Sequence, residues 1–381
     1  MSSSERPQAF DGATRVVVKI GSAVLRRGAG FDRVAFVSLV RDLAALVERG
    51  VRPVVVSSGA VALGMARMGV DKRPAQTTDL QALAAIGQGY LMRAWEDELR
   101  GYELHAAQLL LTHDDLRDRT RYLNACQTLK ALLQFPNVVP IINENDTVAV
   151  DEIKMGDNDL LSAQVVGMAN AGCLVILSDT DGFYDRRPDE AGAMRLSRID
   201  TLTEDMKTAA QGSTSGLGSG GMHTKVTAME RVGQLGVPGI IAGGRTPDVL
   251  ARLYDGADLG TWFDPTTTTL HGRKSWIATA PKSAGRIHVD AGARDALLNG
   301  QGSLLPVGIK RVEGDFKAKE VVTLVGPDGV AFARGQAVHG AEAIRQMQGK
   351  QSSEASAEGT FTPRGSVVVD RNTLVIPEGT S

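Results

Sequence analysis

Residues 15–60 read RVVVKIGSAVLRRGAGFDRVAFVSLVRDLAALVERGVRPVVVSSGA, and this stretch decides the fold class. Arg15–Ile20 is an apolar run interrupted only by Lys19, which predicts a strand buried on both faces. From Asp32 the spacing changes. Val34, Val37, Leu39, Val40, Leu43, Leu46 and Val47 recur as a helical stripe running to about Arg49. Asp32 suits the N-cap and Gly50 the position just past the end. Val54–Ser57 then returns to strand. Strand, helix, strand is a βαβ unit, which implies a mainly parallel sheet covered by helices.

The same alternation continues downstream. Helices are predicted over Thr77–Arg100 (capped by Thr77 or Thr78), Arg119–Phe135, Asn158–Asn170, Met222–Leu235 and Pro247–Tyr254. Strands are predicted over His105–Leu111, Val138–Ile142, Leu174–Ser178, Gly239–Ala242 and Gly260–Phe263. This is one α/β domain over residues 15–264, preceded by a polar tail at 1–14. The texture then changes. A threonine run at Thr266–Thr269 opens a linker over 265–283. Short apolar runs separated by Gly and Asp follow: Arg286–Val289, Leu304–Gly308, Val321–Val325 and Val330–Ala333. They predict a small β-rich module over 284–362. Within it, QSSEASAEG at 351–359 is low in complexity and reads as a flexible excursion. Ser366–Asp370 predicts a last strand in a C-terminal segment, 363–381.

At 381 residues the chain has room for two or three domains and a large core. A net charge of −2 gives no general field to draw nucleic acid or an anionic membrane. The two cysteines, Cys126 and Cys173, form no disulfide framework or zinc set and read as small buried hydrophobes. Met1–Thr14 lacks an apolar segment and no run of about 18 apolar residues exists, so the expectation is a cytoplasmic protein.

Four segments concentrate chemistry. Lys19-Ile20-Gly21-Ser22 puts a lysine at the carboxyl end of the first strand, where open α/β sheets bind ligands. Ser57-Ser58-Gly59-Ala60 closes the second strand and opens a helix, whose free N–H groups favour an anion. INENDTVAVDEIKMGDNDLLSA, residues 142–163, packs Asn143, Glu144, Asn145, Asp146, Asp157, Asn158 and Asp159 after a buried strand. GLGSGGMHTK, residues 216–225, is a glycine-rich loop feeding a helix with Lys225 in its first turn, which is a phosphate cradle. It is neither a dinucleotide fingerprint, since no strand precedes it, nor a Walker A loop, since Lys225 follows Thr224 and precedes Val226. Each segment also has a bland reading: a snorkelling lysine, an N-cap serine, a solvated loop, a flexible linker. His223 reads as solvent-facing or as touching nucleotide. No triad and no metal-ligand set can be read from the sequence.

In their order, VVVKIGS, VVVSSGAVALG, LLTHDDLRDRTRYLNA, INENDTVAVDEIKMGDNDLLSA, LSDTDGFYD and SGLGSGGMHTK resemble the amino-acid kinase family, in its glutamate-phosphorylating branch. The resemblance runs from about Val16 to about Arg371, and INEND followed by GDND is its most specific part. Residues 284–350 resemble a PUA domain. The resemblance implies an αβα sandwich with a mainly parallel sheet plus the small β-rich PUA-like domain. It implies transfer of the γ-phosphate of ATP, with Mg²⁺, to the side-chain carboxylate of L-glutamate, the first step of proline biosynthesis. It also implies feedback inhibition by proline and a dimer or tetramer. Lys19 and Lys225 resemble the lysines that flank the transferring phosphoryl group, and Asp159 the acid that orients them. Ser58, Asp146 and Asn158 match glutamate-binding positions, with Asp157 in the same shell. Ser178 and Asp179 match the pair beside the nucleotide, and Ser219, Gly220, Gly221, Met222, His223, Thr224 and Lys225 the nucleotide loop. Ala23 and Arg187 depart from the family's usual hydroxyl and Asp.

Two rival readings stand beside this one. Another family member would act on acetylglutamate, aspartate, carbamate or UMP. An RNA-binding protein would use the PUA-like module. Between Gly285 and Lys350, however, nine Lys/Arg face seven Asp/Glu and the only aromatics are Phe316 and Phe332, a poor set for phosphate contact or base stacking.

Overall fold

A computed structural model of the chain describes residues 10, 12–28, 30–149, 158–211, 221–266, 277, 283–300, 302–350 and 367–376. Two compact units result, one around an eight-stranded sheet and one around a five-stranded sheet.

The first sheet is built from β1 (Arg15–Ile20), β2 (Arg52–Ser57), β3 (His105–Leu111), β4 (Val138–Glu144), β5 (Cys173–Ser178), β6 (Arg198–Ile199), β7 (Gly239–Gly243) and β8 (Thr261–Phe263). Their spatial order is β3-β4-β2-β1-β5-β7-β8-β6. Every pair is parallel except β7–β8. Besides a five-residue turn of helix at His113–Arg117, the helices are α1 (Arg33–Glu48), α2 (Ala60–Met68), α3 (Thr77–Leu99), α4 (Arg119–Leu132), α5 (Asn158–Ala169), α6 (Glu204–Gln211), α7 (Met222–Gly233) and α8 (Val249–Tyr254).

The central strands are apolar on both sides because both faces are covered. In β1, Val16, Val18 and Ile20 join one core with Leu39, Leu43 and Leu46 of α1 and Leu91, Trp95 and Leu99 of α3. Phe36 meets the edge of Trp95 at 4.7 Å between centroids. Alternation then sends Val17 and Lys19 to the opposite face. There α5 packs on β1 and on α7. Nearly every residue of α5 is buried, as its lack of a polar face requires. Lys19 is therefore aimed by period-two geometry at the helices that carry the other charged groups of the site.

The helical stripe read from the sequence needs one correction. Val34 and Val37 of α1 are exposed, at 74% and 37%. The buried face instead takes Phe36, Ala44 and Asp42. Asp42 is an acid on an apolar face because it accepts a hydrogen bond from the Leu250 N–H at 3.1 Å. Asp248, the N-cap of α8, sits in a left-handed conformation and makes no side-chain cap, so Asp42 caps that helix from across the core. Burial pushes its carboxyl up to about 6. Asp42→Ala orphans the Leu250 N–H but relieves a desolvated carboxylate. The net loss is expected at the low end for a buried bond, about 1 kcal/mol, read from urea unfolding.

Other boundaries shift slightly. The first residue of α3 is Thr77, but its N-cap is Gln76, not Thr77 or Thr78. A 3₁₀ turn at Arg100–Tyr102 follows it. The helix expected over Arg119–Phe135 stops at Leu132. Cys173 is buried, while Cys126 is only partly so.

The second unit contains β9 (Gly285–Val289), α9 (Ala291–Leu298), β10 (Ile309–Glu313), β11 (Val321–Val325), β12 (Ala331–Ala337), α10 (Ala341–Met347) and β13 (Val369–Val375). The sheet order is β10-β9-β11-β12-β13, with β9–β11 parallel and the other pairs antiparallel. Ile287, Val322, Leu324, Phe332 and Ile344 form its core. The strand expected at Ser366–Asp370 begins at Val369 and pairs with β12. It belongs to this sheet rather than to a separate tail. Most of the expected linker lies outside the described residues.

Candidate active site

The site lies where the carboxyl ends of β1, β2 and β5 meet helix N-termini, and short backbone bonds lace those ends together. The Gly21 N–H donates to the Leu177 carbonyl at 3.0 Å and the Ser58 N–H to the Ile20 carbonyl at 3.2 Å. Gly59 then turns the chain into α2 with φ +115°, a conformation that favours glycine.

Asp159, in the first turn of α5, is fully buried. Lys19 Nζ lies 2.5 Å from its Oδ1. Lys225 Nζ donates to Oδ2 at 3.2 Å, and the Thr224 hydroxyl donates to the same oxygen at 2.6 Å. Burial alone would raise this carboxyl. The two ammonium charges and the bonds from Lys19 and Thr224 outweigh that and hold it far below the usual carboxylate range. A cation in the first turn of a helix opposes the helix dipole. Lys225, only 6% exposed at the start of α7, therefore sits where stability alone would not put it. Two lysines from distant parts of the chain share one carboxylate.

Beside Asp159, Asn158 heads α5. Its Nδ2 donates to Ser58 Oγ at 2.8 Å and to Asn143 Oδ1 at 2.9 Å. Asn143, at the end of β4, donates in turn to Gln88 Oε1 of α3 at 2.8 Å. Asp146 is half-buried in the turn after β4, and burial pushes its carboxyl up to about 6, against the pull of Arg73. The Ser58 turn is braced from behind. A side chain on Gly64 of α2 would stand 2.0 Å from the Leu83 carbonyl oxygen, and one on Gly87 of α3 would stand 1.8 Å from that of Ala60. The two helices touch backbone to backbone.

A cavity of about 760 Å³ opens next to Lys225, lined among others by Ser178, Asp179, Phe183, Tyr184 and Met222. The Ser178 hydroxyl donates to Asp179 Oδ1 at 3.0 Å. Arg187, the departure noted in the sequence, also lines the cavity and pairs with Asp189 at 2.9 Å. Thr261, fully buried, accepts the Phe183 N–H at 2.8 Å and so holds that wall.

The residues singled out in the sequence thus fall into two groups. Lys19, Asp159, Lys225, Ser58 and Asn158 come together around α5. Ser178, Asp179, Met222 and Lys225 line the cavity. Gly221, His223 and Thr224 do not line it. His223 is exposed within α7 rather than in a loop, and Thr224 serves Asp159. Asp157, Ser219 and Gly220 lie outside the described residues. Gln88 and Thr261 carry no motif and were not anticipated. One polar residue among several in a long helix and a single buried threonine give no signal in a sequence.

The match to the amino acid kinase family spans residues 14–243. The chain belongs to the amino acid kinase family. Residues 285–358 match the PUA domain. Among amino acid kinases the chain is similar to the glutamate 5-kinase of Myxococcus xanthus, 44% identical over 351 residues, which is 92% of this chain and 93% of that one. It is 48% identical to the glutamate 5-kinase of Pseudomonas putida, over 90% of this chain and 92% of its relative. It is 43% identical to that of Pelobacter propionicus, over 97% of this chain and the whole of its relative.

Proposed function

We propose that the chain is a glutamate 5-kinase, transferring the γ-phosphate of ATP to the side-chain carboxylate of L-glutamate. The observation that carries this is the buried pairing of Lys19 and Lys225 on Asp159, beside a nucleotide-sized cavity. A carboxylate is already ionised at neutral pH, so its attack needs no general base. What it needs is cancellation of negative charge and correct placement. Lys19 and Lys225 supply the charge on either side of the phosphoryl group. Asp159 orients both and lets two ammonium groups stand close together. Ser58, Asn158, Asp146 and Asp157 hold glutamate. Ser178, Asp179 and the start of α7, with Ser219 and Gly220, hold the nucleotide.

Among the described residues no group of three or more His, Cys, Asp and Glu could hold a metal ion. Mg²⁺ would supply neutralisation of phosphate charge, and because it usually keeps several waters, the carboxylates of the site are candidates for its outer shell. Proline is proposed as an inhibitor at or near the glutamate site, and a homo-oligomer as the working state. The domain boundary is proposed within 265–283. Among the described residues no helix is long and apolar enough to cross a membrane, and we propose a cytoplasmic location. RNA binding by the PUA domain is the weaker reading: Phe316 and Phe332, the aromatics between Gly285 and Lys350, are buried and cannot stack on bases.

The test is ATP turnover with Mg²⁺ against glutamate, aspartate, N-acetylglutamate and UMP, trapping acyl phosphate with hydroxylamine. Hydroxamate is expected with glutamate alone. Folded protein that gives none with glutamate rules the reading out.

A pH dependence follows from Asp146. If its carboxylate meets the glutamate ammonium, binding requires the ionised form. With a carboxyl raised to about 6, glutamate KM is expected to fall as pH rises through about 6 and then to level off. Asp146→Asn should raise KM and flatten that profile. A profile unchanged by the substitution removes Asp146 from the substrate shell.

A further inference from the structure

Three side-chain amides form a relay from α3 to the substrate side of the site. Asn158 Nδ2 donates to Asn143 Oδ1 and to Ser58 Oγ, and Asn143 Nδ2 donates to Gln88 Oε1. Asn143 and Asn158 are 2% and 9% exposed. Among the described residues, two buried atoms of the relay have no hydrogen-bond partner: Asn158 Oδ1 and Gln88 Nε2. Buried polar atoms are normally paired, so an orphaned acceptor beside Ser58 marks a place for a donor on a ligand.

An amide has one donating end and one accepting end, so the direction of one member fixes the next. Because Gln88 offers its carbonyl, Asn143 must turn its NH₂ toward α3 and its carbonyl toward Asn158. Asn158 then commits its NH₂ to Asn143 and Ser58, and its own carbonyl is left over. Ser58, accepting from Asn158, keeps its hydroxyl proton to give. The result is an acceptor suited to an ammonium next to a donor suited to a carboxylate, the two groups on the α-carbon of an amino acid. Run in reverse, the relay would leave an NH₂ at Asn158, which repels an ammonium.

We propose that Gln88 is a positioning residue for this reaction: it sets the direction of the amide relay and thereby makes Asn158 an acceptor for the substrate ammonium. The inference rests on the glutamate site proposed above.

The test uses the full chain in the hydroxamate assay. Gln88→Met removes the carbonyl at nearly constant volume. It is expected to raise glutamate KM about ten-fold, with kcat and the ATP KM within about two-fold of wild type, because only the ammonium contact is lost. In an Asn158→Ala background the same change is expected to do nothing further, because the two residues act in series. Gln88→Glu keeps an acceptor opposite Asn143 and is expected to fall between wild type and Gln88→Met. An unchanged glutamate KM in folded Gln88→Met overturns the inference. So does a full additional loss in the Asn158→Ala background, or a parallel loss of ATP affinity. Should Gln88→Met not fold, Gln88→Ser, which withdraws the carbonyl without added bulk, is judged by the same criteria. Wild-type protein that makes no glutamyl hydroxamate is a different failure: it removes the substrate and the inference with it.

Discussion

Lys19→Met is expected to lower turnover by about 10²–10³-fold, the cost of removing one preorganised charge from a transition state, with smaller changes in either KM. The reason is geometric. Lys19 is 4% exposed and held at 2.5 Å on Asp159, so water cannot take over its charge. Lys225→Met should lose a comparable factor, since it occupies the other oxygen of the same carboxylate. The fold is expected to survive but not unchanged. Breaking a buried pair costs about 3–5 kcal/mol when the remaining charge is stranded. Here Asp159 keeps Lys225 and Thr224, so the loss should be smaller. The depressed carboxyl of Asp159 stabilises the protein above the ordinary carboxylate pKa of 3.8 and loses that effect as pH falls below it. The variant, with a less depressed carboxyl, should gain less from that ionisation. Turnover within about three-fold of wild type would remove Lys19 from the mechanism.

Gly87→Ala is expected to destabilise the protein by about 3 kcal/mol, at the upper end for overpacking. The added carbon would stand 1.8 Å from the Ala60 carbonyl oxygen and 2.5 Å from the Gly64 nitrogen. Both are backbone atoms of α2, so no rotamer change relieves the clash, and α2 must move. That helix opens directly after Ser58 and Gly59, so glutamate KM should rise along with the loss of stability. Gly89, two residues on, is the control. A side chain there meets nothing within 4 Å, and Gly89→Ala should gain about 1 kcal/mol from helix propensity. Equal melting temperatures for the two variants would mean that α2 and α3 are not locked as described.

The outline of the fold is legible in residue pattern. Buried strands such as Val54–Ser57 and Leu174–Ser178 announce themselves as apolar runs, and α1 and α3 through their spacing and boundaries. Lys19 stands out because a lysine breaks such a run. What stays hidden depends on two distant residues meeting. Gly64 and Gly87 look like ordinary helix-weakening glycines until their helices cross. Asp42 reads as a polar position on α1 until α8 arrives to use it as a cap. Gln88 is one polar residue in a long helix, and only the amides of Asn143 and Asn158 give it a meaning. The site's anchor, Asp159, is one acid among many in its segment. Residue pattern marks only the segment; the family resemblance singles out Asp159, and packing sets it between the lysines.

The position of β1 in the sheet has a further consequence for how the protein is made. Its neighbour β2 follows soon after it, but its other neighbour, β5, starts only at Cys173. While the ribosome is working through the residues between, RVVVKI presents a bare edge with four apolar residues in six, the kind that recruits strands from other chains. Pairing across such a long separation is also slow. Nascent or truncated chains ending before Cys173 should therefore be the species that chaperones must shield and that form inclusion bodies. Lys19, translated among the first, meets Asp159 and then Lys225 only much later, so the site is completed late in synthesis.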